Sequence, residues 1–586
     1  MTRLWNDPAS FADDVVGGFV RANGRWVRRV PGGVSRSTRS AEPEVAVVIG
    51  GGSGHYPAFG GLVGPGLAHG AAMGQLFASP SAQQVESVVR ASEQGRGALL
   101  TFGNYAGDVL HFSAAQEAVR KDGIDCRTVL VTDDIFSAPP AEQHKRRGIA
   151  GDLTVFKTAG AAAAAGYGID DVERVTRTAN ARTRTMGVAF SGCTLPGAEA
   201  PLFTVPEGRM AIGLGIHGEP GIELTDIPSA DGLAELFVRY LLGDAELPEG
   251  ITARGARVVP VLNGLGSVKS EELFVVFCRV AELLEEAGVE IVDPQVGEFC
   301  TSFDMAGVSL TLFWLDEELE RLWLAPADTP AFRTGAVDSA SLQAVADDDG
   351  ARPAEEDILP ESSEDSRRAA ARIVAALEVT RAAIDEAADE LGRIDAIAGD
   401  GDHGIGMQRG TATASAVASA LAARGAGART LLERAGNGWS NRAGGTSGAI
   451  WGLILRTVGE HLGDTEQATA SRVAAGISAA KDAVMAYGKA SVGDKTLVDS
   501  LVPFADTFAA RVAAGDSLAE AWLAAADAAT AAAEATAKLL PGMGRARTHG
   551  EKSLGVPDPG AVSLALIARR VHRVIDTAAD TAPATA

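Results

Sequence analysis

The chain has 586 residues, enough for two or more domains, and its 46% apolar content suffices for well-formed cores. A formal net charge of −24 argues against non-specific binding to nucleic acid or to anionic membrane surfaces, but leaves room for a locally positive nucleotide site. No apolar stretch approaches the roughly 20 residues of a membrane helix, and the N-terminal MTRLWNDPASFADD lacks the apolar core of a signal peptide. Cys126, Cys193, Cys278 and Cys300 are widely spaced with no CxxC pair, so neither a disulfide framework nor a zinc site is expected. Buried free thiols in a cytoplasmic protein are the simplest account.

Residues 1–335 read as mixed α/β structure. Val45–Ile49, Ala98–Phe102 and Thr128–Thr132 are short, β-branched or apolar runs that read as buried strands, with helical patterns at Ser81–Gln94 and Val109–Asp122 between them. Strand, Gly-rich turn, helix, strand is the rhythm of a doubly wound parallel sheet. Met186–Phe190, Met210–Leu214 and Val258–Leu262 read as strands of a second α/β subdomain. Residues 336–366, with DDDGARPAEED and LPESSEDS, read as a solvated acidic linker. Residues 367–586 are Ala-rich and helix-periodic, as at Ala369–Leu391, Thr411–Ala423, Ser471–Tyr487 and Ser517–Leu540, so an all-α bundle or helical barrel is expected.

Three motifs in the first region can carry chemistry. The first strand runs into Gly50-Gly-Gly-Ser-Gly-His55, whose glycines let main-chain N–H groups approach a ligand, although it has neither a P-loop ending nor a dinucleotide fingerprint. The next strand ends in Gly103-Asn-Tyr-Ala-Gly-Asp108, placing an acid where open α/β sheets bind ligands; a helix N-cap is the structural alternative. His55 and Asp108 thus form a candidate acid/base pair. His217, in GLGIHGEPG, is flanked by glycines and is expected in an exposed loop, where an unprotonated imidazole can attack a carbonyl. In the helical region, Asp395, Asp400 and Asp402 fall within GRIDAIAGDGDHG. Three carboxylates separated by glycines suit Mg²⁺ working with the phosphates of a nucleotide, the structural alternative being an acidic surface turn.

Taken together, the motifs resemble the single-chain, ATP-dependent dihydroxyacetone kinases over nearly the whole length. GGGSGH at 50–55, GNYAGD at 103–108, KRRGIAGD at 145–152 and GLGIHGEPG at 213–221 resemble the substrate-binding K domain. GDGDHG at 399–404, AGGTSG at 443–448, GDKTLVDSL at 493–501, GRA at 544–546 and DPGA at 558–561 resemble the nucleotide-binding L domain. The resemblance implies that His217 holds a ketose covalently as a hemiaminal, that Asp108 and His55 bind its hydroxyls and assist proton removal, and that Gly52, Ser53, Ser79 and Asn104 line the pocket. It implies two Mg²⁺ ions on Asp395, Asp400 and Asp402. It also implies ATP cradled by His403, Gly404, Ile405, Gly406, Thr446, Ser447, Gly488, Leu497, Arg545, Asp558, Pro559 and Gly560. The L domain is expected to be an eight-helix barrel, and the enzyme a homodimer with swapped domains.

The sequence departs from the commonest dihydroxyacetone enzymes at Lys552 and Val556 in GEKSLGVPD and in LFTVPEGRMAIGLG before His217. These departures resemble the branch acting on erythrulose, with the D form giving the 4-phosphate as the expected reaction. Alternatives are a dihydroxyacetone kinase, a lyase cyclising FAD, and a phosphocarrier-dependent protein. The fused chain, with no phosphocarrier-like segment, favours exchangeable ATP.

Overall fold

The computed structural model describes residues 4–243, 246–345, 359–398, 401–543, 550 and 552–579. The chain forms two compact units, Met1–Arg352 and Pro353–Ala586.

The first unit holds two sheets. Its first has β1 (Val27–Val30), β2 (Gly33–Arg36), β4 (Ala46–Ser53), β5 (Gly70–Leu76), β6 (Ala98–Gly103) and β7 (Cys126–Val131), in the order β1-β2-β5-β4-β6-β7. A further strand, β3 (Thr38–Ser40), lies outside this sheet. β5, β4, β6 and β7 run parallel, as expected, while β1 and β2 add an antiparallel edge. Strand β4 is buried along its whole length because helices cover both faces. Val48 packs with α2 (Ala82–Ser92) and α3 (Ala106–Lys121) through Val85, Val88, Phe112 and Val119. Val47 and Ile49 join the opposite core with Phe156 and Val172 of α4 (Asp152–Ala164) and α5 (Ile169–Ala181). Helix α1 (Phe11–Asn23) precedes the sheet.

The second sheet comprises β8 (Thr183–Ala189), β9 (Arg209–Ile212), β10 (Glu223–Asp226), β11 (Arg257–Gly264), β12 (Glu290–Ile291), β13 (Gln295–Gly297) and β14 (Gly307–Trp314), ordered β10-β9-β8-β14-β11-β12, with β13 also on β11. Here the doubly wound parallel pattern gives way. Every pairing is antiparallel except those of β12 and β13 with β11. Loop 213–222, between β9 and β10, is too short for the crossover that a parallel pair needs. Helices α6 (Ala230–Leu241) and α7 (Ser270–Glu286) pack on this sheet through Phe237 and Val280. Helix α8 (Glu317–Trp323) and the small hairpin of β15 (Ala327–Asp328) and β16 (Arg333–Thr334) follow. Part of the stretch read as linker is structured: β17 (Leu342–Ala344) pairs with β3. Its backbone is satisfied by a neighbour distant in sequence, which composition does not register. Cys126, Cys193 and Cys300 are buried free thiols, as expected; Cys278 is exposed on α7.

The second unit has eight α-helices among its described residues: α9 (Glu364–Ala398), α10 (His403–Ala423), α11 (Ala428–Ala443), α12 (Gly445–Leu462), α13 (Ala470–Gly488), α14 (Val498–Ala513), α15 (Leu518–Ala535) and α16 (Pro559–Ala579). Each packs on the next, and α16 returns to α9, closing the barrel. Alanines and glycines let the helices approach closely: a Cβ on Gly404 would lie 2.1 Å from the Ala388 carbonyl oxygen of α9. Helix α9 starts at Glu364, three residues before the boundary read from composition.

Candidate active site

In the α/β unit the candidate residues gather at the carboxyl ends of adjacent parallel strands. β4 delivers Gly52, Ser53 and His55; β5 leads to Phe77 and Ser79; β6 leads to Asn104, Tyr105 and Asp108. Glycine is required at 52, where a Cβ would stand 2.8 Å from Ala78 N. Ser53 Oγ donates to Gly74 O at 2.6 Å, and Asn104 Nδ2 donates to the carbonyls of Arg146 (2.8 Å) and His144 (3.2 Å), so both tie the pocket's loops together. Asp108 is buried in the first turn of α3; the N-cap is Tyr105.

His217 comes from the loop after β9, in the second subdomain, yet its Nε2 lies 3.0 Å from Nε2 of His55. The expectation of an exposed loop is corrected, since His217 is only 7% exposed. The flanking glycines turn the loop inward, where the imidazole sits edge-on to Tyr105 (4.8 Å), His55 (4.8 Å) and Phe77 (5.3 Å). Phe77 adopts φ +54°, a left-handed conformation costly for an aromatic residue, and stacks on His55 at 4.9 Å. Residues Thr301–Phe303 bind both histidine loops: Thr301 O accepts from His55 Nδ1 (2.8 Å), Phe303 N donates to Gly54 O (2.9 Å), and Ser302 Oγ donates to Ile216 O (2.5 Å).

Behind His217 lies a buried charge network that the sequence reading did not assign. Glu219 accepts from the His217 backbone N at 3.1 Å and from its Nδ1 at 3.3 Å. Arg147 lies 3.7 Å from Glu219 and 3.2 Å from Asp134. Burial, together with the Glu219 charge, pushes the Tyr105 phenol well up; its hydroxyl donates to Gly148 O at 2.9 Å. Below the pocket, Asp133 accepts from the amides of Ile149 (2.9 Å) and Gly151 (2.8 Å). Burial raises the Asp133 carboxyl to about 6. Burial and the charges of Asp133 and Asp108 push Asp152 well above the usual carboxylate range. The one signal that pointed to Glu219 was its spacing, two residues after His217 in the quoted motif.

In the helical unit, the amino-terminal ends of α10, α12, α14 and α16 meet at one end of the barrel. His403 bridges three of them: its Nδ1 is 3.2 Å from Ser447 Oγ on α12, and its Nε2 is 3.0 Å from Ser563 Oγ on α16. Its backbone N donates to Asp395 Oδ2 at 3.0 Å, and Leu497 packs 3.2 Å from where a Gly560 Cβ would be. Asp558 caps α16 by accepting from Ala561 N at 2.7 Å. Helix amino-termini attract phosphate oxygens, so this end suits a nucleotide. Thr446 follows Gly444 and Gly445 (φ +63° and +57°) into α12; Gly406 lies on α10, Gly488 closes α13, Pro559 opens α16, and Ile405 is half exposed. Lys495, 2% exposed, donates to Ser553 O (2.6 Å) and Leu539 O (3.2 Å), holding the loop before α16.

Among the described residues no group of three or more Asp, Glu, His or Cys side chains is placed to hold a metal ion; Asp395 and Asp402 supply oxygen donors of the kind a hard cation takes. Burial, and then the charge of Asp395, raise the Asp402 carboxyl to about 7; burial and nearby acids raise Asp558 to about 7. Clustered carboxylates of this kind are ionised cheaply only beside a cation. Asp400 and Arg545 lie outside the described residues. No helix among the described residues is long and apolar enough to cross a membrane.

Residues 17–331 match the Dak1 domain and residues 397–573 the DAK2 domain. The chain is 58% identical over 578 residues to an L-erythrulose kinase of Pectobacterium atrosepticum, covering 98% of this chain and 97% of that one. It is 52% identical over 574 residues to a D-erythrulose kinase of Mycolicibacterium smegmatis, covering 97% and 98%. The crystal structure of the dihydroxyacetone kinase from C. freundii with AMP-PNP and Mg²⁺ is similar at TM-score 0.51 and 27% identity, covering 98% of this chain and 99% of that one. With both domains matched in order along one polypeptide, and near-full-length relatives above half identity, the chain belongs to the single-chain, ATP-dependent dihydroxyacetone kinase family.

Proposed function

We propose that the protein transfers the γ-phosphoryl group of ATP to a terminal hydroxyl of erythrulose, held as a hemiaminal on His217. The observation that carries the reading is the environment of that imidazole. It is buried among aromatic rings, its Nδ1 is held by Glu219, and its Nε2 is directed at the neighbouring His55. Such a nucleophile captures aldehydes and ketones and leaves glycerol unbound, although glycerol is similar in size. Asp108 is the base that takes the proton from the attacking hydroxyl, and Gly52, Ser53, Ser79 and Asn104 shape the pocket. Asp395, Asp400 and Asp402 hold two Mg²⁺ ions, and the amino-terminal ends of α10, α12 and α16 bind the phosphates. Bound Mg-ATP supplies the phosphoryl group and neutralises its charge. Two relatives above 50% identity carry erythrulose in their names, which supports a four-carbon ketose over dihydroxyacetone. They are named for opposite hands, so the assay decides between the D form, giving the 4-phosphate, and the L form. A cytoplasmic homodimer in which the helical unit of one subunit serves the other follows from the family resemblance, and the acidic linker is long enough to allow it.

The test is ADP release with Mg-ATP against D-erythrulose, L-erythrulose, dihydroxyacetone and glycerol. One erythrulose enantiomer leading in kcat/KM supports the proposal. Dihydroxyacetone leading would overturn the choice of ketose, and no turnover on any ketose would overturn the reading as a whole.

A further inference from the structure

Strand β5 outruns its neighbour on one side and slips against its neighbour on the other. The β1–β2 hairpin turns back at Pro31–Gly32, and its pairing with β5 ends at Gly33 opposite Ala72, with Met73 N donating to Gly32 O at 2.9 Å. In the β4–β5 ladder Gly51 faces Met73 but Ser53 faces Leu76, so Gly74 and Gln75 together oppose Gly52 in a bulge. The notch beside the bulge, walled by α1 and the hairpin, is a cavity of about 400 Å³, within the range of small-molecule sites. Gln75 lines it and is 8% exposed. Its carboxamide makes no hydrogen bond among the described residues, and its polar atoms are not sealed into the core. Burying an amide without a partner is costly, so a group kept in this state is one a ligand can satisfy. Across the same cavity, Gln84 of α2 uses its Oε1 to accept from Ser81 N at 2.8 Å, leaving its amide NH₂ to donate. The two lining charges offset each other, Arg29 lying 3.6 Å from Asp13, and Val16 and Met73 add apolar wall.

We infer that this notch is a second, non-covalent binding site for a small neutral polyol, and that its occupant tightens the ketose pocket. The ligand class follows from the wall. A carboxamide both donates and accepts, which matches a hydroxyl, whereas the offset charges of Arg29 and Asp13 give no preference for an anion or a cation. The carbon chain of a polyol fits against Val16 and Met73. The coupling follows from chain order and rests on the proposed ketose reading. Gln75 and Gln84 flank the segment that carries Phe77 and Ser79. Phe77 N donates to Ser53 O at 2.9 Å, its ring stacks on His55 at 4.9 Å, and its backbone is left-handed at φ +54°. Gly74 O, one residue before Gln75, accepts from Ser53 Oγ at 2.6 Å. A polyol bridging the two carboxamides clamps both ends of this segment and holds Phe77 in a conformation it would otherwise relax from.

The probe is erythritol, which has no carbonyl and so cannot be captured by His217. The full chain, labelled with ¹³C at its methionine methyl groups, is titrated with erythritol and followed by NMR. The chain has eight methionines, and Met73→Leu identifies the resonance that reports on the cavity. That resonance should shift saturably. In ADP-release kinetics, saturating erythritol should lower KM for the ketose by about fivefold with little change in kcat. In Gln75→Leu, which keeps the bulk and removes the carboxamide, both effects should vanish. An unmoved Met73 resonance in the wild type, or the same shift in Gln75→Leu, would overturn the site. A rise in ketose KM that Gln75→Leu leaves in place would overturn it as well, since erythritol would then be competing in the ketose pocket. A shift that depends on Gln75 with an unchanged KM would overturn the coupling. That same shift in a protein that turns over no ketose would overturn the kinase reading and leave the polyol site standing.

Discussion

Acidifying the protein from pH 7 to pH 5 should loosen its divalent cation by about 50-fold. Asp402 is proposed to hold Mg²⁺, and its carboxyl is raised to about 7 by burial and by the adjacent Asp395 charge. A carboxylate must be ionised to bind a cation, so binding displaces the proton. At pH 7 about half of such sites are already ionised, and at pH 5 about one in a hundred, a ratio of about 50 or about 2 kcal/mol. The sign follows: affinity is full above pH 7 and is lost as pH falls through 7. A carboxylate near its ordinary value would change affinity by less than about twofold over the same interval. The assay is calorimetric titration of metal-free protein with Mn²⁺, without nucleotide, in two buffers of different ionisation enthalpy. About one proton per ion should be released near pH 6. Asp402→Asn should bind more weakly at pH 8 and lose most of the pH dependence. Equal affinity at pH 5.5 and 7.5 with no proton release would refute the reasoning, because Asp402 would then be either already ionised or not a ligand.

Three further outcomes follow from the same geometry. Asp108→Asn should lower kcat by about 10²- to 10⁴-fold with little change in ketose capture, as expected of a group acting in the transfer step, and steady-state kinetics beside carbonyl-¹³C NMR separates the two. Asp400→Ala should abolish ADP release while ketose capture, read without nucleotide, stays at the wild-type level. Lys157 is fully buried on α4, where its Nζ donates to Leu322 O at 2.9 Å and burial lowers its ammonium to about 7. Between pH 7 and the ordinary lysine value the unfolded chain holds the proton that the folded one releases, so stability should rise with pH across that window. Lys157→Met should raise urea resistance of the α/β unit at pH 7 by about 1–3 kcal/mol, and a loss of stability would show that the ammonium is needed.

Much of the candidate site was legible as a set of residues because they sit in short glycine-punctuated motifs. Gly50–His55 ends a β-branched run, so both the strand and the ligand-facing turn after it are local properties. Periodicity likewise placed the helices and suggested a barrel. What stayed hidden depends on partners far apart in sequence. Nothing near His217 announces that His55, 162 residues away, meets it at 3.0 Å, or that Arg147 and Asp134 steady Glu219. The glycines around His217 suggested exposure, but they serve to bend the loop into the pocket. Phe77 has an unremarkable sequence context, and its left-handed backbone is imposed by the tertiary structure that stacks it on His55. The antiparallel second sheet was missed because a buried strand looks the same from its own residues whichever way its neighbour runs.

The most direct test of the central claim is to identify the product. Mg-ATP and racemic erythrulose incubated with the full chain should give, by ³¹P NMR, one sugar phosphate monoester on a terminal carbon in one-to-one yield with ADP. Glycerol under the same conditions should yield none. ADP without a sugar phosphate, or glycerol phosphate formed as readily as the ketose product, would contradict an enzyme that selects its substrate through a carbonyl captured on His217.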